Sequence, residues 1–376
     1  MRVPPALRHR ARAVRIGRAG TAAAGRRQAD PVPLLGGGLV VTEQILDVQD
    51  VTKHYRKRGG GRFGLGSATV KAVDGVSLQL HKGEALGIVG ESGCGKSTLT
   101  RLLTALEKPT SGHVRYRGTD VHRAKGAERT RMRRNIQMVF QDPYASLNPR
   151  KTVGSILAEP FRIHRDAVPG TGLRPRLEQL LEQVGLRPDH LDRYPHEFSG
   201  GQRQRIGIAR GIALNPEVLI CDEPVSALDV SVRAQVLNLL AELQRELSLT
   251  VVFIAHDLDV VRHFCDRIAT MYLGRVVEEG DCDAVYDHPA HPYTRALLSA
   301  IPRPGFDDEP EQERIVLEGD PPSPIAPPPG CPFHTRCWMA RPDCATTVPT
   351  GHDLGEGHVS HCHFAPEVAL ADPAKR

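Results

Sequence analysis

Residues 90 to 98 read Gly90-Glu91-Ser92-Gly93-Cys94-Gly95-Lys96-Ser97-Thr98. Three glycines let consecutive backbone N–H groups curl round an anion at a helix start. Lys96 then neutralises the outer phosphate oxygens and Ser97 offers an oxygen to magnesium. The segment follows an apolar strand, Ala85 to Val89, and opens a helical stretch, Leu99 to Leu106. An isolated match is also met as an accidental glycine turn, but the strand before and the helix after favour a nucleoside triphosphate with Mg2+.

A second group of candidates is the run Val218 to Cys221, which ends in Asp222 and Glu223. Successive residues of a strand point to opposite sides, so two adjacent acids can take different tasks. Asp222 is placed to hold magnesium, through water, and Glu223 to face an attacking water. Taken alone, two acids after a strand are usually a solvated turn; beside a phosphate loop they read as hydrolytic.

The third group is Cys331, Cys337, Cys344 and Cys362, spaced C-x5-C-x6-C-x17-C, while Cys94, Cys221, Cys265 and Cys282 are scattered singly. Four thiols amid prolines and an aromatic match the ligand count of a [4Fe–4S] cluster or of structural Zn2+. The spacing lacks the paired C-x2-C of ordinary zinc ribbons, His334, His361 and His363 stand near as further ligands, and two disulfides are a third arrangement.

The elements that must position these groups are short. Ile45 to Val51 and Val70 to Leu80 read as β, with a glycine-rich basic loop from Arg56 to Ser67 between them. Gln137 to Phe140, Val218 to Cys221 and Thr250 to Ala255 are buried-strand candidates separated by helical stretches, the pattern of a largely parallel sheet with crossover helices. Along Arg233 to Leu247 the residues Val236, Leu239, Leu240, Leu243 and Leu247 share one face, which marks core. Prolines accumulate from Pro302 to Pro329 and announce a linker into a small terminal unit.

A chain of 376 residues, 40% hydrophobic and 25% charged, can bury a large core. Its longest apolar runs fall well short of the ~20 residues a membrane-spanning helix needs. The net charge of +5 is uneven: residues 1 to 40 carry eight arginines against Asp30, or +7, which leaves −2 on the rest. A nearly neutral body gives no reason to expect nucleic acid as a partner. The tail reads as a disordered extension or an upstream mis-assigned start; it is poor in acids like a targeting peptide but lacks the apolar core of a secretory signal.

Phe198-Ser199-Gly200-Gly201-Gln202 resembles the signature sequence of the ABC ATPases, with Phe198 where leucine is more usual. The other family elements stand in the family's order. Gln141, in Val-Phe-Gln-Asp-Pro, resembles the glutamine loop; Ser226-Ala-Leu-Asp229 the D-loop; His256, in Ile-Ala-His-Asp, the switch histidine; Tyr55 the aromatic that stacks on adenine. The resemblance implies an α/β fold, an ABC-type P-loop cassette with a RecA-like core and antiparallel β and helical subdomains, over residues 41–290. It also implies that two cassettes close head to tail on two ATP molecules. Ser199, Gly200, Gly201 and Gln202 of one subunit then cap the phosphate bound by Lys96 of the other, while Glu223, His256 and Gln141 serve hydrolysis and Ser97, Asp222 and Gln141 serve magnesium.

Gln137 to Val153 is similar to the segment after the glutamine loop in the ATPases of oligopeptide and dipeptide importers. His291 to Leu298 and Cys331 to Cys337 resemble the C-terminal extension of that group, here residues 291–376. The resemblance implies ATP-driven peptide import and a [4Fe–4S] cluster at the four cysteines. It implies a second, paralogous ATPase as partner, two transmembrane permease subunits, a solute-binding protein acting through them, and a peripheral place on the cytoplasmic face of the membrane. A helical unit from Tyr144 to Ala213 receives the permease. Import of nickel or another small solute, and a soluble ABC ATPase of repair or translation, are the rival readings. Cys94 departs from the usual loop; it is either a tolerated small residue or a thiol whose pKa the helix start lowers.

Overall fold

The computed structural model describes residues 43–58, 67–170, 172–301 and 314–370. The Arg-rich tail, most of the basic glycine loop and the first part of the proline run lie outside the described residues. The described residues belong to one compact unit.

Two sheets carry the architecture. Gln44–Arg58 and Ser67–His81 form a long antiparallel pair, with Leu46 opposite Leu80 and Tyr55 opposite Val70. Ser111–Tyr116 and Thr119–Asp120 complete a four-stranded antiparallel sheet. The second sheet has eight strands, in the order His352–Asp353, Val359–Ser360, Arg275–Asp281, Arg267–Tyr272, Ala85–Val89, Thr250–Ile254, Val218–Asp222, Ile136–Val139. Its last five are parallel, as the alternation of strand and helix predicts.

The central strands are buried on both faces, which is why they read as unbroken apolar runs. Leu86, Ile88, Val218 and Ile220 face one core with Leu99 and Leu102 of the helix Lys96–Leu103 and with Val48 and Val51 of the antiparallel sheet. Leu219, Cys221, Val251 and Phe253 face the other, with Val236, Leu240 and Leu243 of the helix Val230–Leu247. Each such side chain contributes roughly 1.5–3 kcal/mol by leaving water. Four of the five residues expected on the buried face of that helix are buried; Leu247, in its last turn, is only partly so.

Residues 143–213 form the helical part, including Val153–Leu157, Leu173–Gln183 and Gly200–Ile212. The C-terminal part of the chain joins the larger sheet: Val359–Ser360 pairs with Glu278 and Glu279. Among the described residues, no helix is long and apolar enough to cross a membrane.

Candidate nucleotide site

The strand Ala85–Val89 delivers the chain to a loop whose backbone only glycine can follow at two points. Gly90 has φ 151° and Gly95 φ 113°; a Cβ at Gly90 would lie 2.2 Å from the Met271 carbonyl oxygen, and one at Gly95 would lie 2.1 Å from that of Ala72. Gly95 caps the helix Lys96–Leu103 without a side chain, leaving the helix-start N–H groups for an anion. Lys96 is buried, and its Nζ donates to the Gly90 and Glu91 carbonyls at 2.7 and 3.1 Å. The lysine thus crosses the mouth of the loop that Ser92, Gly93 and Thr98 complete.

Asp222 ends its strand opposite this helix, and Ser97 Oγ donates to Asp222 Oδ1 at 3.4 Å. Burial, with the neighbouring Glu223 carboxylate, pushes the Asp222 pKa up; Ser97, Arg101 and Lys96 work against that rise. A buried carboxylate with one long hydrogen bond from a hydroxyl fits a divalent cation.

One residue on, the chain turns sharply. Glu223 has φ 45°, a left-handed conformation costly for a residue with a Cβ, and its N–H donates to the Ile254 carbonyl at 3.0 Å. The turn carries its carboxylate to Gln141, whose Nε2 donates to Glu223 Oε2 at 2.8 Å, and to His256, whose Nδ1 lies 3.5 Å from the same oxygen. Three residues from three loops, each at the end of a parallel strand, meet at one carboxylate.

Tyr55, on the antiparallel sheet, donates its hydroxyl to Glu107 at 2.5 Å, and Lys53 Nζ lies 5.1 Å from its ring centroid. Burial and Glu107 raise its pKa, so the hydroxyl stays protonated. Ser199 caps the helix Gly200–Ile212: its Oγ accepts from the Gln202 N–H at 3.3 Å, and Gln202 Oε1 accepts from the Ser199 N–H at 3.0 Å. This reciprocal box fixes the helix start while Ser199 stays exposed. Among the described residues, no hydrogen bond joins Ser199, Gly200, Gly201 or Gln202 to the phosphate loop. Asp229 caps the helix Val230–Leu247 through its carbonyl, which accepts from Arg233 N–H at 2.8 Å.

Cys94 departs from one expectation for it. The thiol is 5% exposed, and burial raises its pKa against the opposing pull of Lys96. Desolvation of the thiolate outweighs the helix start.

Cys331, Cys337, Cys344 and Cys362 line one cavity together with His334 and His363. The Cys331 N–H donates to the Cys344 carbonyl at 2.8 Å, which ties two of the turns. Burial, and then the other three thiols, push the Cys362 pKa up to about 12. Among the described residues, no three His, Cys, Asp or Glu side chains stand ready to hold a metal ion. Two residues without a local sequence signal, Tyr293 and Arg336, touch the phosphate loop from the C-terminal part of the chain. Their partner Glu91 lies more than 200 positions away, so no local pattern exposes them.

Comparison with known proteins gives the chain's family. The family described as ABC transporter matches residues 73–226, and the family described as oligopeptide/dipeptide transporter, C-terminal region, matches residues 277–344. The oligopeptide transport ATP-binding protein AppF of Bacillus subtilis is 53% identical over 323 residues, 86% of this chain and 98% of the relative. The dipeptide transport ATP-binding protein DppF of Escherichia coli is 52% identical over 313 residues, 83% of this chain and 92% of the relative. A solved ATP-binding cassette, dimeric and bound to ADP and Pi after hydrolysis, is 33% identical with a TM-score of 0.56, covering 63% of this chain and 99% of that one. The chain belongs to the ABC-transporter ATPases, and within them to the oligopeptide/dipeptide importer subunits that couple ATP hydrolysis to transport.

Proposed function

We propose that this chain hydrolyses ATP in a site shared with a second cassette and thereby drives peptides inward across the cytoplasmic membrane. The observation that carries the reading is the Glu223 carboxylate, held by Gln141 and His256 one residue beyond the Ser97–Asp222 pair. Lys96 and the loop N–H groups bind the β- and γ-phosphates, and Ser97 and Asp222 hold Mg2+, Asp222 through water. When bound there, magnesium would supply positive charge to offset that of the phosphates. Glu223 accepts a hydrogen bond from the attacking water and takes its proton; Gln141 steers that carboxylate and senses magnesium and water, and His256 turns to the γ-phosphate.

Ser199 faces outward for the neighbouring subunit's nucleotide, because the reciprocal cap leaves its side chain exposed at a helix start, while Gly201 beside it is buried and lets the helix start pack closely on Val232. Tyr55 stacks on adenine, and Asp229 meets the partner cassette. One of two permease subunits docks on the helical part, where Tyr144 and Ile163 are 66% and 74% exposed, and a solute-binding protein acts through the permease pair at the outer face. Closure and opening of the sandwich move this surface and alternate access.

The resemblance assigns the four thiols, which line one cavity, to a [4Fe–4S] cluster, with zinc as the alternative. When bound, the cluster would take the four sulfurs as thiolate ligands. Brown protein with stoichiometric iron and sulfide, lost in Cys337→Ser, is expected; zinc alone overturns the assignment. For the transport reading, the chain assembled with its permease, second ATPase and binding protein in vesicles is expected to take up labelled peptide on ATP addition. Uptake of nickel but not peptide would reassign the solute.

A further inference from the structure

Glu91 places a carboxylate in a loop built for a triphosphate, where its charge opposes that of the ligand. The fold holds it with Arg336, 245 residues away in the turn between Cys331 and Cys337. Arg336 Nη1 donates to both carboxylate oxygens, at 3.2 and 2.9 Å. The arginine side chain is 8% exposed, so this pair is shielded from solvent far more than an ordinary surface ion pair.

The same loop residue is fixed at its backbone. Its N–H donates to Tyr293 Oη at 2.8 Å and its carbonyl accepts from Lys96 Nζ at 3.1 Å. Tyr293 is fully buried, its ring 4.7 Å from Tyr272 and 5.4 Å from Phe333, centroid to centroid. An aromatic cluster therefore sets the height of its hydroxyl, and the Glu91 backbone is pinned between Tyr293 and the lysine that meets phosphate.

We propose that Arg336 and Tyr293 are positioning residues of the ATP site: the C-terminal extension braces the phosphate loop, and Arg336 neutralises the carboxylate that would otherwise repel the nucleotide. The proposal rests on the reading of residues 90–98 as the triphosphate loop and is independent of which group the four thiols hold.

The test titrates the full-length chain with a fluorescent ATP analogue and measures ATPase rates in the assembled complex. Failure of the unaltered chain to bind the analogue would sink the loop reading itself; the brace is judged by ratios between variants. Arg336→Ala is expected to weaken binding about tenfold and to raise KM more than it lowers kcat, because an uncompensated carboxylate acts on nucleotide binding. Arg336→Lys, which keeps a charge, recovers part of the loss. The decisive variant is Arg336→Ala with Glu91→Gln: removing the carboxylate returns affinity to within about threefold of the unaltered chain, since the two residues act as a pair. Tyr293→Phe, which strips only the acceptor from the Glu91 N–H, weakens binding by about threefold.

Unaltered affinity in Arg336→Ala would overturn the proposal. So would a double variant as weak as Arg336→Ala alone, which would mean that the arginine acts through the fold or the thiol site. Unaltered affinity in Tyr293→Phe would remove Tyr293 from the brace.

Discussion

Gln141 Nε2 donates to Glu223 Oε2 at 2.8 Å across 82 residues of sequence. The bond fixes the carboxylate on the left-handed turn after the strand, beside His256. Glu223→Gln keeps the shape and removes the base. Hydrolysis in the assembled complex is expected to fall at least about 100-fold while ATP still binds, the size of a lost general base. A hydrolysis rate within tenfold of the unaltered complex would displace Glu223 from that role.

Gly95 sits at φ 113° with the Ala72 carbonyl oxygen 2.1 Å from where a Cβ would be. Since that neighbour is backbone, it cannot rotate away. Gly95→Ala is expected to weaken binding of a fluorescent ATP analogue by about tenfold or more, because the loop must leave its shape to admit the methyl. Equal affinity would show that the helix start tolerates another path.

Glu278 is fully buried and accepts from the Ala290 and His291 N–H groups, at 2.6 and 3.1 Å, and is 2.8 Å from His358 Nε2. It joins the cassette sheet to the C-terminal extension. Glu278→Ala strands those buried groups and is expected to cost about 3 kcal/mol or more, read as a lowered unfolding midpoint. Glu278→Gln keeps one acceptor and loses less; two equal losses would mean that the carboxylate acts only through its volume.

Cys94 is expected to resist iodoacetamide at neutral pH in the folded chain, since burial raises its pKa and covers its sulfur. Peptide mass spectrometry reads the modification, with urea-unfolded protein as the positive control. Labelling of folded protein as rapid as that of unfolded protein would contradict the buried placement.

How far the site could be read in advance depended on how far apart its parts lie. The loop Gly90 to Thr98 was legible because strand, glycines, lysine and helix are contiguous, so one local pattern encodes one anion cradle. The central strands were legible because burial on both faces leaves continuous apolar runs. Strands such as Val359–Ser360 were not, since two residues carry no period and are strand through pairing with Glu278 and Glu279 on one side and His352–Asp353 on the other. The C-terminal extension reads as a separate unit from its prolines, yet its short strands join the cassette sheet, a pairing decided by long-range register.

The residue order by itself determined that a triphosphate is bound, that Asp222 and Glu223 end a buried strand, and that four cysteines gather near the end of the chain. Only the tertiary structure decided that Gln141 and His256 converge on Glu223, that the Cys94 thiol is raised rather than lowered, and that Arg336 and Tyr293 reach Glu91. The reason is physical. Backbone periodicity and steric permission act over a few residues, whereas hydrogen bonds, desolvation and ion pairs act between whatever groups the packed sheets bring within a few ångströms.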